Sequence, residues 1–430
     1  MSDESNNNSR QHISETLSLL VKRDNTENTL LFPFLYAFWF ILSSYMFFHA
    51  QGDLFIDFNL HNISAQRRLV YGFNMVNMYQ NLTAFFSTFL GRVGNPLTMA
   101  GVMVSVIFRM LLLGFVHYFT WKEIGKNVSD KWLFFVVLTT IFAGAIPNFF
   151  IGRLAYGAGI GITVWHNPTS VVVIPFVVAT FFLFVNLVKL SEVAQESRMF
   201  SLFGKTSRMF DSIYVYALLL AIALFLSVYA KVSWLVAFVP AVLLFLFVWW
   251  AVSGFGLNRL RSCIIIGCCF IPAGLLALYS RTAYFYGGAD SWLVFGRNPN
   301  FILRNHITNW IFPIVVVILR RTNLKKNYLL QMAWVVLVVA TLQLAFMYEE
   351  GVRFNHGNTG WGLLYARTLL VMVSMIELAH CKIVYFNDED ISSFKTKRVA
   401  INIAITLAAV HLFAGVFYTI ALYTRHVYVF

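Results

Sequence analysis

Apolar stretches of membrane-crossing length alternate with short polar segments along almost the whole chain. A spanning helix needs roughly 20 predominantly apolar residues, at 1.5 Å rise each, to cross about 30 Å of hydrocarbon. Runs of this kind predict eleven spans: Leu30–Phe48, Leu97–Phe119, Trp132–Ile151, Ser170–Val188, Ser212–Ala230, Trp234–Val252, Cys263–Ser280, His306–Leu319, Tyr328–Met347, Leu363–Cys381 and Ala400–Tyr423. The eighth is short and lies between Arg304 and the pair Arg320, Arg321. The pattern divides the chain into a polar N-terminal tail, 1–29, and a single polytopic membrane domain, 30–430, with a long first loop over 49–96.

Composition agrees with that pattern. Of the 430 residues 59% are apolar and 12% charged, and the mean hydropathy is +0.70. Soluble domains carry about 25% charged residues, so too little polar surface is left here to face water. The same figures exclude a disordered chain, a disulfide scaffold and a nucleic-acid-binding domain. The net charge of +13 reports topology first, because Lys and Arg accumulate on cytoplasmic loops. With the N-terminus inside, twenty of the 32 basic residues fall on inner segments and ten on outer ones, leaving Arg109 and Arg367 within helices. That bias predicts an all-α polytopic protein with about eleven spans, N-terminus inside and C-terminus outside. The polar first ~28 residues show no pattern of a cleaved signal peptide. Four cysteines, Cys263, Cys268, Cys269 and Cys381, lie in or beside apolar runs without metal-ligand spacing, and read as small buried side chains. Sequons at Asn62, Asn81 and Asn127 are short matches of low specificity.

Four segments on the expected outer face are rich in side chains able to do chemistry. The first holds Asp53 and Asp57, which would share a helix face if the first helix continued outward, and so could bind a cation or serve as general base. Later in the same loop, Arg67-Arg68-Leu-Val-Tyr and its neighbours mix apolar and polar positions at near-helical spacing. That part reads as an amphipathic helix in the membrane interface, or as a folded lid without lipid contact. The second is Trp165-His166-Asn167-Pro168-Thr169 behind a glycine-rich stretch. A Trp can stack on a sugar ring while His and Asn bind hydroxyls; the alternative is a turn closed by Asn-Pro-Thr at the start of the next helix. The third gathers Glu349, Glu350, Arg353, Asn355, His356, Asn358 and Trp361, where Arg can clamp phosphate and Glu can deprotonate a hydroxyl. The fourth, between Arg281 and Arg304, includes Arg297, placed to meet a lipid-linked phosphate or to snorkel to headgroups.

Within the predicted spans Arg109, Arg367 and Glu377 stand out, since a charge at membrane depth is costly and faces a cavity or a partner. Arg367 and Glu377 are ten residues apart on one helix, about 15 Å along its axis, too far to pair with each other.

An acidic residue, Asp53, after the first helix and followed by a long outer loop resembles the GT-C superfamily of integral-membrane glycosyltransferases. The Trp165–Thr169 stretch, with Pro175 beyond it, Glu350-Gly-Val-Arg353 and His356-Gly-Asn358 resemble bacterial polytopic proteins of surface and capsular polysaccharide synthesis. The resemblance implies a multi-pass protein of the bacterial cytoplasmic membrane with an outer catalytic cavity. It implies a sugar donor on polyprenyl phosphate or pyrophosphate, a glycan or glycolipid acceptor, and inversion at the anomeric carbon. The family's first-loop acid maps to Asp53, with Asp57 as fallback; Glu350 joins them as a catalytic candidate. Arg353, Arg67, Arg68 and Arg297 are candidate phosphate contacts, and Trp165, His166, Asn167, His356 and Asn358 candidate sugar contacts. The resemblance fixes no cofactor, and metal dependence stays open, with a divalent cation as the candidate. A transporter or flippase for a lipid-linked sugar or small anion, and a polymerase of repeat units, are the alternatives.

Overall fold

A computed structural model of the chain describes residues 30–50, 58–75, 77–91, 95–125, 127–143, 167–196, 207–285, 293–295, 310–349, 358–387 and 391–423. They form an all-α polytopic membrane protein. In chain order the helices are α1 Leu31–Ala50, α2 Phe58–Tyr71, α3 Met78–Leu90, α4 Pro96–Ile124, α5 Asp130–Phe142, α6 Pro168–Glu196, α7 Ser207–Ala230, α8 Ser233–Val252, α9 Leu257–Cys268, α10 Ile271–Phe285, α11 Ile311–Leu319, α12 Tyr328–Phe346, α13 Asn358–Asn387 and α14 Ile391–Tyr423. A 3₁₀ turn, Arg321–Lys326, follows α11. Two three-residue strands, β1 Leu293–Phe295 and β2 Met347–Glu349, pair antiparallel with Leu293 opposite Glu349.

Nine segments among the described residues are long and apolar enough to cross a membrane: α1, α4, α6, α7, α8, α9 running on into α10, α12, α13 and α14. They coincide with nine of the eleven predicted spans. The other two predicted spans are represented by α5, with 13 residues, and α11, with 9. Both are shorter than a single crossing requires.

Burial ranks the helices. The whole apolar window of α13 and 94% of that of α6 are buried, against 28–56% for the other spans. These two helices are the axis of the bundle and the rest surround them. The outer ring turns side chains such as Leu243, Phe247 and Phe413 outward, which suits a lipid solvent as apolar as they are. Helix association in lipid relies on close packing of small residues; at Gly362 of α13 an added Cβ would lie 2.8 Å from the Cβ of Ala237 on α8.

Asparagine starts four of the helices. Asn77, Asn95, Asn167 and Asn327 each accept a backbone N–H three residues on, at 3.0–3.3 Å. Such caps satisfy amides that would otherwise be orphaned at the first turn. Pro96 and Pro168 follow two of them at the first helical position, where the missing N–H costs nothing.

Many of the polar contacts between helices cluster at the two ends of the bundle. One end carries Asn81, Asn167, Tyr229, Lys231 and Trp361; the other carries Glu123, Lys189, Glu192, Arg259, Arg320, Glu377 and Lys382. Following the basic-residue expectation, the first is called the outer end and the second the inner end. Ion pairs tie the inner end together: Glu123 with Lys189 at 3.1 Å, Glu192 with Arg259 at 2.6 Å and Glu377 with Arg320 at 2.7 Å. The last is an ionic contact and not a well-directed hydrogen bond, since neither Arg320 Nε nor Glu377 Oε2 meets hydrogen-bond geometry. Trp249 donates to Glu192 at 2.6 Å, and the Lys382 ammonium lies 4.3 Å over the Trp132 ring.

One expectation needs correction, and the low specificity of the sequons is consistent with what is found. Of the four cysteines, Cys269 and Cys381 are buried, but Cys263 is half-buried and Cys268 exposed; an apolar run in a lipid-facing helix is not a buried position. The sequons at Asn62 and Asn81 are buried side chains, at 6% and 5% exposure, and both are used in internal hydrogen bonds.

Candidate functional site

Sequence segments far apart in the chain meet at the outer end. The junction between α7 and α8 presents Lys231, whose ammonium donates to Ser170 Oγ at 2.9 Å and to Asn167 Oδ1 at 3.4 Å, both at the start of α6. The same ammonium lies 3.8 Å from the ring centroid of Trp361 near the start of α13, within cation–π range. Tyr365, one turn further along α13, donates to Ser170 at 3.1 Å. Beneath them Trp234 of α8 donates to Thr180 of α6 at 2.8 Å and meets Tyr365 edge to face. A cation, three hydroxyls, an amide and three aromatic rings thus form one cluster joining α6, α7, α8 and α13.

The other outer segments reach the same end. Asn81 of α3 donates to the Tyr229 hydroxyl at 2.6 Å, two residues before Lys231. The β1–β2 ladder joins the segment after α10 to the one before α13. The described residues flanking all four expected outer segments are therefore linked at one end.

Around α2 and α3 lies a second polar network, partly buried. Tyr79 donates to Asn62 Oδ1 at 3.1 Å, Arg68 to Gln80 Oε1 at 3.1 Å, and Gln80 Nε2 contacts His61 Nδ1 at 3.1 Å. Asn81 also donates to the backbone carbonyl of Asn74. An added Cβ at Gly101 of α4 would sit 2.5 Å from the Tyr79 hydroxyl and 2.9 Å from Asn62 Oδ1, so glycine there is what lets the network press against α4.

Of the residues singled out in sequence, Asp53, Asp57, Trp165, His166, Arg297, Glu350, Arg353 and His356 lie outside the described residues. Asn358 opens α13, with its side chain outside them as well. Asn167 is in the outer cluster, and its first role is the helix cap: its oxygen accepts from Ser170 N at 3.0 Å and from the Thr169 hydroxyl at 2.6 Å. Arg68 belongs to the α2–α3 network. Arg67, its neighbour, faces away from that network and is exposed.

Lys231, Ser170 and Tyr365 were not singled out by motif. Lys231 had a signal: it is an isolated cation between two apolar runs on the side that topology expects to be poor in them. Ser170 and Tyr365 had none, since both read as ordinary positions within spans.

Inside the bundle Arg109 and Arg367 are 1% and 2% exposed. Trp39 of α1 donates to the Arg109 carbonyl at 3.1 Å and its ring lies 5.6 Å from the guanidinium carbon. Glu377 takes Arg320 as partner, in keeping with its distance from Arg367. Among the described residues no group of three His, Cys, Asp or Glu side chains could hold a metal.

A scan of protein-family models and a search of curated proteins give no match to this chain.

Proposed function

We propose that the chain is a membrane glycosyltransferase of GT-C type that works at the outer leaflet on a sugar carried by polyprenyl phosphate or pyrophosphate, in surface or capsular polysaccharide synthesis. The observation that carries this reading is the linkage, at one end of the bundle, of residues flanking all four chemistry-bearing segments. A bond-forming site needs acid, base and phosphate contacts within reach of one substrate, and the linkage of the flanking residues supports such a meeting. In this reading Asp53 takes the proton of the acceptor hydroxyl, and that oxygen bonds to the anomeric carbon from the face opposite the donor. The carbon–oxygen bond to phosphate breaks, the phosphate leaves with the electron pair, and the anomeric centre inverts. Arg353, Arg297 and Arg68 neutralise the departing phosphate, the largest charge developed in such a step. Trp165, His166, His356 and Asn358 hold sugar, with Glu350 orienting a hydroxyl.

The test is surface-glycan composition in cells carrying wild type, Asp53→Asn or Glu350→Gln at equal membrane levels. Loss of one glycosyl residue in both variants is the expected result. Wild-type glycan in both sinks the catalytic assignment. A shortened chain-length distribution with unchanged composition would identify a polymerase of repeat units.

The buried Arg109 and Arg367 favour a second reading, a carrier for a lipid-linked sugar or small anion. It expects Arg109→Gln and Arg367→Gln to abolish function while Asp53→Asn and Glu350→Gln are tolerated.

A further inference from the structure

The adjacent arginines of α2 have different surroundings. Phe58, Asn62 and Ala65 form the buried face of the helix. At 3.6 residues per turn, Leu60, Ile63, Arg67, Val70 and Tyr71 fall within a stripe roughly 100° wide on the opposite side. All five are exposed, the apolar ones at 53–84%, and exposed Phe73 and Met75 continue the surface past the helix end. Arg67 makes no hydrogen bond or ion pair with a described residue, whereas Arg68 is held by Gln80. An apolar stripe with one cation at its centre, on a helix that is not itself a span, is unstable against water and needs a cover.

The position of α2 identifies that cover. Phe58 meets Phe47 at a ring distance of 5.5 Å, and Phe47 lies in the last turn of the α1 span, Leu31–His49. Tyr229, reached through Asn81, is the last residue but one of the Ser212–Ala230 span. The first contact sets the start of α2, and the second the start of α3, at the level where spans leave the hydrocarbon. Phe58, His61, Asn62 and Arg68 cover about 15 Å of helix axis, yet all reach Tyr79 or Gln80 in the first turn of α3. α2 therefore crosses the first turn of α3 instead of running beside it. Since α3 packs along the spanning helix α4, α2 runs across the bundle end, along the plane of the membrane.

We infer that α2 is docked on the outer leaflet, with Leu60, Ile63, Val70 and Tyr71 in the boundary between headgroups and acyl chains and Arg67 paired with lipid phosphate. Apolar side chains on one side of an interfacial helix enter that boundary by 5–10 Å, and a long cation among them reaches a phosphate while its methylenes stay in the apolar layer. This separates Arg67 from Arg68: the first belongs to the membrane and the second to the protein. The inference is independent of the reaction catalysed at the outer end.

Nitroxide labels on the full chain test it. Cys263→Ser and Cys268→Ser remove the accessible native thiols, and single labels go on Ile63→Cys, Val70→Cys and Gln66→Cys in phosphatidylcholine vesicles containing phosphatidylglycerol. Gln66 is exposed but off the stripe. The expected result is an oxygen-to-nickel-complex collision ratio several-fold higher at Ile63 and Val70 than at Gln66. Equal ratios at the three sites would mean that water covers the stripe, and low collision with both reagents would mean that protein does; either overturns the inference. For Arg67, the Val70 label is measured again after Arg67→Glu. A fall in its ratio in the anionic vesicles is expected, and an unchanged ratio overturns the pairing with phosphate.

Discussion

Asn167 shows how a single residue of a sequence motif can be mainly architectural. Its side-chain oxygen is engaged by Ser170, Thr169 and Lys231, so its immediate effect is to start α6, the most buried span after α13. Asn167→Ala is expected to cost about 1 kcal/mol, the usual value of a lost cap, read as a lower unfolding midpoint in detergent, with Asn167→Ser recovering most of it. Lys231→Met keeps the apolar stem and removes the charge over Trp361. The loss expected is about 0.5–2 kcal/mol, visible as a shift in tryptophan emission as well as in stability. Gly101→Ala forces a methyl into the Tyr79 hydroxyl, and overpacking of this kind costs about 1–3 kcal/mol. Tyr79→Phe combined with Gly101→Ala should relieve part of it. At this scale the sequence was partly legible. Asn-Pro-Thr carried its capping chemistry on its face, and the isolated Lys231 was visible against the topology bias. Its partners Ser170 and Tyr365 were not, because a polar residue inside a span shows its contact only once the neighbouring helix is in place.

Among elements, hydropathy located nine spans closely, since a lipid-crossing helix must be apolar along its length. It was less informative for α5 and α11, whose described helices are shorter than the apolar runs that contain them. Hydropathy also could not say which helices are central. α1 and α13 have the same window hydropathy of 1.6, yet 28% of one window and all of the other is buried. The pairing of Glu377 with Arg320 was out of reach for the same reason, although the spacing of Arg367 and Glu377 already excluded the pairing within α13. Both members of this inner pair are largely shielded, with side chains 15% and 5% exposed. Removing one partner of a buried pair strands a charge, at about 3–5 kcal/mol. Arg320→Met or Glu377→Gln alone should therefore lower stability more than the two together, measured as a double-mutant cycle on thermal unfolding in detergent. The native thiol of Cys381, buried four residues beyond Glu377, should react faster with a thiol reagent in either single variant.

For the whole molecule, the outer and inner ends differ in chemistry as well as in side. Ion pairs are found at the inner end beside hydrogen bonds and a cation over a ring, whereas the outer cluster is held by hydrogen bonds and an amine on an aromatic face. If the basic-residue bias orients the chain, cysteines introduced at Lys231 and at Lys325 should react with a membrane-impermeant thiol reagent from opposite faces of sealed vesicles. Reaction of both from the same face would reject the alternation on which the outer site rests. The chemistry-bearing segments could be seen in sequence because polar clusters between apolar runs are conspicuous. Their meeting could not, because residues near positions 80, 167, 230, 294, 348 and 361 come together only through the packing of α3, α6, α7, α8 and α13.

The shortness of α11 bears on how the chain enters the membrane during synthesis. Nine residues cover about 14 Å of axis, and the cation at its end, Arg320, finds its carboxylate on a helix that begins 38 residues later. The described helix alone is too short to cross the bilayer, and Arg320 meets Glu377 only once α13 has been made. Stable insertion of α11 is therefore expected only after α13 has emerged. Nascent chains truncated before residue 358 are expected to leave α11 extractable by alkali, and chains extended past Glu377 to hold it in the bilayer.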